Sequence, residues 1–213
     1  MTLTRTTKLP PASLALALDW TERGIVLMLY GFLVVRMVAA AAAHGSWANL
    51  VLLPSEGLVV VFILVRRGTR DVSLRPGHWA LALAATAAPL LVRPGGEPIL
   101  PPVVGALFVV LGMVVQVHAK VSLGRSMGMV PANRGVKLSG PYRHLRHPMY
   151  AGYLLSDVAF LLMNPTLLNA GLYLACLALQ VPRLLAEERL LARDERYQEY
   201  LARVRYRLVP GVF

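Results

Sequence analysis

The residues best suited to chemistry lie in two short polar stretches. The first reads Gly140-Pro141-Tyr142-Arg143-His144-Leu145-Arg146-His147-Pro148-Met149-Tyr150. Pro148 suits the first turn of a following helix, where a missing N–H breaks no hydrogen bond. Arg143, His144, Arg146 and His147 then gather donors at the positive end of that helix, a natural place for an anion. The second stretch, Pro182-Arg183-Leu184-Leu185-Ala186-Glu187-Glu188-Arg189, sets two adjacent carboxylates among arginines. Such a pair suits a cationic ligand, and suits equally a solvated face with ordinary ion pairs. His144 and His147 are the only two of the five histidines that lie close together. One histidine pair leaves a coordination sphere incomplete, so no metal site is expected.

The first stretch belongs to a longer polar segment, Ser122 to Gly152, rich in glycine and basic residues. Loops of about 30 residues are uncommon and are often functional. No Gly-x-Gly-x-x-Gly follows a strand, and strands and helices do not alternate, which argues against a soluble nucleotide-binding fold. Beyond the acidic pair, Tyr197, Tyr200, Leu201 and Val204 recur at helical spacing. The stretch Arg203 to Pro210 then turns apolar again, as if docking back on the rest of the chain.

These segments need a scaffold, and the composition says what kind. Of 213 residues, 56% are hydrophobic and 15% charged, and the mean hydropathy is +0.57. A soluble domain carries about 25% charged residues, so the expected solvent for much of this surface is lipid. Four long apolar runs, Gly24–Ala43, Ala48–Val65, His78–Val92 and Ile99–Ala119, are candidates to cross a core of ~30 Å. Two shorter runs, Met149–Met163 and Thr166–Val181, are divided by the turn signal Asn164-Pro165. The expected fold is all-α: a polytopic membrane helix bundle with four long transmembrane helices and a C-terminal helical hairpin. The net charge of +11 comes from 22 Lys and Arg, and nearly all of these fall on alternate connections. The positive-inside rule then places both termini and the Lys120–Pro148 loop in the cytoplasm. Bases placed this way, without interleaved exposed aromatics, do not suit nucleic acid. The single cysteine, Cys176, permits no internal disulfide. Ala12–Leu18 reads as an interfacial segment rather than a signal peptide. Arg36 and Glu56 fall at equal depth in neighbouring runs, which predicts an ion pair between them, and Pro54 is expected to loosen the backbone beside it.

With these residues in view, Gly140-Pro141-Tyr142 followed by Arg146-His147-Pro148-x-Tyr150-x-Gly152 resembles the isoprenylcysteine carboxyl methyltransferase family, and more loosely the phospholipid methyltransferases. The Asn164-Pro165 break, Glu187-Glu188 and Tyr197-x-x-Tyr200 follow in the family's order, so the resemblance covers about Gly124 to Phe213. It implies an integral membrane methyltransferase with S-adenosylmethionine bound on the cytoplasmic side. Tyr142, Arg146, His147, Pro148, Tyr150, Gly152, Glu187 and Glu188 would form the cofactor site. Glu188, Arg203 and Arg205 would be the catalytic candidates near the acceptor. Residues 1–119 would shape the acceptor side and residues 120–213 the cofactor side. Loss of Glu188 or Arg146 would abolish cofactor binding in a folded protein. The implied partners are the bilayer and a lipophilic small molecule or lipid-modified acceptor. Two other readings fit a polytopic chain with this tail: an NADPH-dependent reductase of sterols or isoprenoids, and a non-catalytic membrane scaffold. The sequence does not specify the oligomeric state.

Overall fold

The computed structural model describes residues 9–44 and 53–213. Among these the chain is helical, with an isolated antiparallel bridge between Val72 and Ala132. The helices are α1 (Ala12–His44), α2 (Leu53–Val65), α3 (Pro76–Ala87), α4 (Pro102–Leu123), α5 (Pro148–Met163), α6 (Leu167–Leu191) and α7 (Glu195–Arg203). Two spans, Pro102–Ser126 and Leu167–Leu191, are long and apolar enough to cross a membrane. Large apolar side chains cover the outside of the bundle, among them Phe32, Val103, Leu107 and Leu167. An apolar face of this extent marks a surface that meets lipid or another apolar partner.

Several helices differ from the runs in the sequence, each for a local reason. Ala12–Leu18 is no separate segment, because α1 continues through it without a break. The run from His78 forms α3 and then tightens into a 3-10 turn over Ala88–Leu91. Pro89 lies in that turn, and proline clashes with the preceding turn of an α-helix. By contrast α6 passes through Pro182 and reaches Leu191. The last run is therefore 25 residues of helix, and it carries the acidic pair on its final turns. The start of the second apolar run, 48–52, lies outside the described residues, as does the side chain of Pro54.

The expected pair of Arg36 and Glu56 does not form. Glu56 Oε1 instead meets Lys120 Nζ of α4 at 3.0 Å, and the same ammonium donates to Ser55 Oγ at 2.9 Å and Ser55 O at 3.1 Å. Lys120 is fully buried. Its long stem carries the charge inward from the end of α4, so a residue counted with the loop charges serves the interior. Arg36 donates to the Val92 carbonyl at 3.4 Å.

Helices α4 and α5 approach most closely. A Cβ at Gly152 would lie 2.8 Å from the Gly112 carbonyl oxygen and 3.0 Å from the Gln116 amide nitrogen. Both neighbours are backbone atoms that cannot swing aside. Small residues at such a crossing let helices pack where no hydrophobic effect drives them together. Gln116 Nε2 donates to Ser156 Oγ across the contact at 3.2 Å.

The loop after α4 is fixed by one carboxylate. Glu22 of α1 is 1% exposed and accepts from the amides of Met129 and Val130 at 2.5 and 3.1 Å. It also pairs with Arg66 Nη1 at 2.8 Å and Arg134 Nη2 at 3.1 Å. Asp19, one turn earlier, takes Arg66 and Arg23. Removing one member of such a cluster strands the others and costs about 3–5 kcal/mol. Glu22→Ala should therefore lower the thermal midpoint sharply and expose the Met129 and Val130 amides to hydrogen exchange. Glu22→Gln should show a smaller loss.

Candidate functional site

Two hollows meet at the end of the bundle that carries the basic loops. One is a polar chamber of about 50 Å³, whose walls include Ser126, Gly128, Arg134, Tyr142, Arg146, His147 and Glu187. The other is a largely apolar cavity of about 330 Å³ inside the helices, reached by Tyr30, Glu56, Met113, Tyr153, Asp157 and Arg183. Gly128, Met149 and Tyr150 line both. The wall between them is thus a glycine backbone and two side chains. A Cβ at Gly128 would meet the Arg134 guanidinium, which would have to shift to make room.

The loop and α5 deliver most of the chamber's polar groups. A 3-10 turn over Gly140–Arg143 turns Tyr142 inward. Burial, reinforced by the nearby Glu187, pushes the Tyr142 phenol well above its ordinary range, so it stays neutral. Pro148 is buried in the first turn of α5, as its sequence position suggests. The ring of His147 packs on Tyr150 with centroids 5.7 Å apart. The Arg183 guanidinium lies 5.6 Å from the Tyr150 ring centroid on the other side of the wall, and its Nη2 donates to the Met129 carbonyl at 2.9 Å.

The two glutamates of the acidic pair separate in role. Glu188 is held from three directions. His147 Nε2 lies 3.2 Å and Arg146 Nη1 3.6 Å from Oε1, while Arg207 Nε lies 3.0 Å from Oε2. The anion that the donors before α5 meet is therefore the protein's own carboxylate. Glu187 reaches the chamber wall. Among the described residues it makes no hydrogen bond or ion pair. Of the two, it is the carboxylate available to a ligand.

Arg146 also clasps the C-terminal segment. Its Nε donates to Val204 O at 2.7 Å and its Nη2 to Leu201 O at 3.2 Å. The Arg146 and His147 amides donate to the carbonyls of Tyr206 and Arg207, each at 3.0 Å. Tyr200 Oη donates to Tyr142 O at 2.8 Å. Leu208 packs with Tyr150 and Leu184. The apolar return of the tail is thus a docked segment.

Tyr142, Arg146, His147, Tyr150 and Glu187 share the chamber, while Glu188 stands behind it as the tie to the tail. Gly152 lies at the α4–α5 crossing. Arg203 is exposed and pairs with Glu199 at 3.6 Å, in a separate groove with Arg143 and Arg196. Arg205 is exposed beside the Tyr206 ring. Neither reaches the chamber, and the arginine that comes in from the tail is Arg207. Arg207, Arg134 and Glu22 escape sequence reasoning because their partners lie far along the chain. The groups of three or more His, Cys, Asp or Glu that would hold a metal ion are absent among the described residues.

Because Glu188 and Arg146 are structural ties, their loss should do more than weaken a ligand. Glu188→Ala and Arg146→Ala should release residues 204–213 and speed proteolysis there, whereas Glu187→Ala should leave the cleavage pattern of the parent protein.

Comparison with known families gives a match to the isoprenylcysteine carboxyl methyltransferase (ICMT) family over residues 104–193. Comparison with curated proteins gives no match. The family match starts inside α4, earlier than the motif at Gly124, and ends before α7, so Arg203, Arg205 and Arg207 lie outside it. The stretch from α4 through the chamber loop and α5 to the end of α6 is thus the part of the chain that is similar to the ICMT family.

Proposed function

We propose that this chain is a multi-pass membrane methyltransferase that takes S-adenosylmethionine at the polar chamber and a lipophilic acceptor in the apolar cavity. The observation that carries this reading is the wall shared by the two hollows at Gly128, Met149 and Tyr150. A water-soluble donor and a lipid-soluble acceptor require adjoining sites of opposite polarity. An NADPH-dependent reductase would need a larger cationic surface for its extra phosphate, and a scaffold would need neither hollow.

The chamber's residues fit the donor. Its ammonium calls for a carboxylate, and Glu187 has one to offer. Its carboxylate calls for a cationic donor, and Arg134 Nε is buried at the chamber without a hydrogen-bond partner among the described residues. Charge-assisted hydrogen bonds of this kind are the strong ones. A water needs roughly 10–15 Å³ of such space, so about 50 Å³ admits only part of the cofactor and binding requires the chamber to widen. When bound, S-adenosylmethionine would supply a methyl group on a sulfonium, open to in-line displacement. The protein's part would be positioning, which can account for much of the barrier lowering in such reactions. Tyr150 and Met149 would hold the two reactants apart except at Gly128. Arg183, placed against Tyr150, is the cation that would orient an anionic acceptor, a role that Arg203 and Arg205 are too remote to fill.

The charge pattern supports the topology. With the basic connections in the cytoplasm, both termini, the chamber and its loop face the cytoplasm. At ~1.5 Å per residue α1, α4 and α6 each exceed a ~30 Å core. The shorter α2, α3 and α5 complete the bundle around the cavity.

Titration calorimetry on the detergent-purified chain tests the reading. S-adenosylhomocysteine should bind in the micromolar range and NADPH should not. Glu187→Gln should weaken the first by about tenfold or more, the scale set by losing one charge-assisted hydrogen bond, with no change in thermal midpoint. Binding of NADPH alone, or of neither compound, would refute it.

A further inference from the structure

Among the described residues, one ionisable side chain of the apolar cavity makes no hydrogen bond or ion pair. Asp157 of α5 lines the cavity alongside Phe160 and Tyr173. The other charged groups there are engaged: Glu56 by Lys120 at 3.0 Å, and Arg183 by the Met129 carbonyl at 2.9 Å. Among the described residues Asp157 has neither hydrogen bond nor ion pair. An ionisable group this deep in a helix bundle is costly to leave alone, and by default it marks a site for something that enters.

Its position says what that is. Tyr150 and Asp157 are seven residues apart, two turns along one face of α5. At ~1.5 Å per residue the carboxylate sits ~10 Å beyond the wall shared with the chamber. It is therefore too far from the chamber to act on the atom being methylated. We infer that Asp157 is a binding subsite for a second polar group of the acceptor, a hydroxyl or ammonium that donates a hydrogen bond ~10 Å from the methylated end. An aliphatic chain without such a donor leaves the carboxylate desolvated and is rejected. A donor at the right distance satisfies it and fixes how far the acceptor slides toward Tyr150. Asp157 is thus a specificity-determining residue, distinct from the groups at the wall. The assignment of this group as part of the acceptor rests on the methyltransferase reading, while the subsite itself rests on the cavity and its unpaired carboxylate.

The test uses the full chain in phosphatidylcholine nanodiscs. Thermal midpoints are measured with n-decanol, n-decylamine and decyl methyl ether, and S-adenosylhomocysteine affinity is measured separately. The alcohol or the amine should raise the midpoint of the parent protein and the ether should not, the larger response identifying hydroxyl or ammonium as the preferred donor. Asp157→Asn should weaken that response by about tenfold and Asp157→Leu should abolish it. Both variants should keep the parent's S-adenosylhomocysteine affinity and a ligand-free midpoint at least as high. Equal responses to alcohol, amine and ether, or an undiminished preference in both variants, would overturn the subsite. Failure of S-adenosylhomocysteine to bind the parent protein would overturn the methyltransferase reading instead, with the probe responses still deciding the subsite.

Discussion

Everything at the loop end of this protein depends on keeping the Glu22 carboxylate out of water. Buried charges are tolerable only when their lone pairs are filled, and Glu22 fills its own with Arg66, Arg134 and the amides of Met129 and Val130. Those partners come from two parts of the chain, the connection after α2 and the loop after α4. The result is a loop held to within hydrogen-bonding tolerance over the mouth of a helix bundle. The backbone on either side of Met129 is wall material: Gly128 separates chamber from cavity, and Val130 lines the chamber. The first helix, which lies outside the family segment, thereby sets the geometry of a site whose polar groups are mostly inside it.

A second constraint of the same type closes the opposite side. Glu188 draws His147, Arg146 and Arg207 together, and backbone hydrogen bonds then run the tail beside residues 146–147. The contrast between the two neighbouring glutamates follows from helix geometry. Adjacent positions on a helix point about 100° apart, so Glu188 faces the tail while Glu187 faces the chamber. A pair that looks uniform in sequence therefore divides into a strut and a carboxylate that has no hydrogen-bond or ion-pair partner among the described residues.

Much of the architecture was legible in the residues. The apolar runs mark the helices, the Asn164-Pro165 break falls between α5 and α6, and Pro148 opens α5. Tyr142, Arg146, His147, Tyr150 and Glu187 line one chamber. What local pattern could not supply was pairing at long range. Arg36 and Glu56 match in depth, yet Lys120 takes Glu56 because a flexible stem reaches inward from a position that counts, in sequence, as loop. Arg203 and Arg205 are near the right place along the chain, but the exposed face of α7 and the turn after it carry them outward. Gly152 fits the motif and contributes a helix crossing, a role that depends on Gly112 and Gln116, 40 and 36 positions away.

The apolar cavity is walled on one side by the family segment and on the other by Val26 and Tyr30 of α1, Ser55 and Val59 of α2, and Ala85 and Thr86 of α3. Only the first wall falls within residues 104–193. On the proposed reading, donor handling and acceptor choice would be written in different parts of the chain, joined at the partition of Gly128, Met149 and Tyr150. Substitution at cavity-lining positions such as Val26, Tyr30, Val59 and Ala85 can reshape the cavity without changing a residue that lines the chamber. Under the methyltransferase reading proposed above, the lipid-soluble molecule admitted could change by substitution in that second wall while the reagent port kept its own residues.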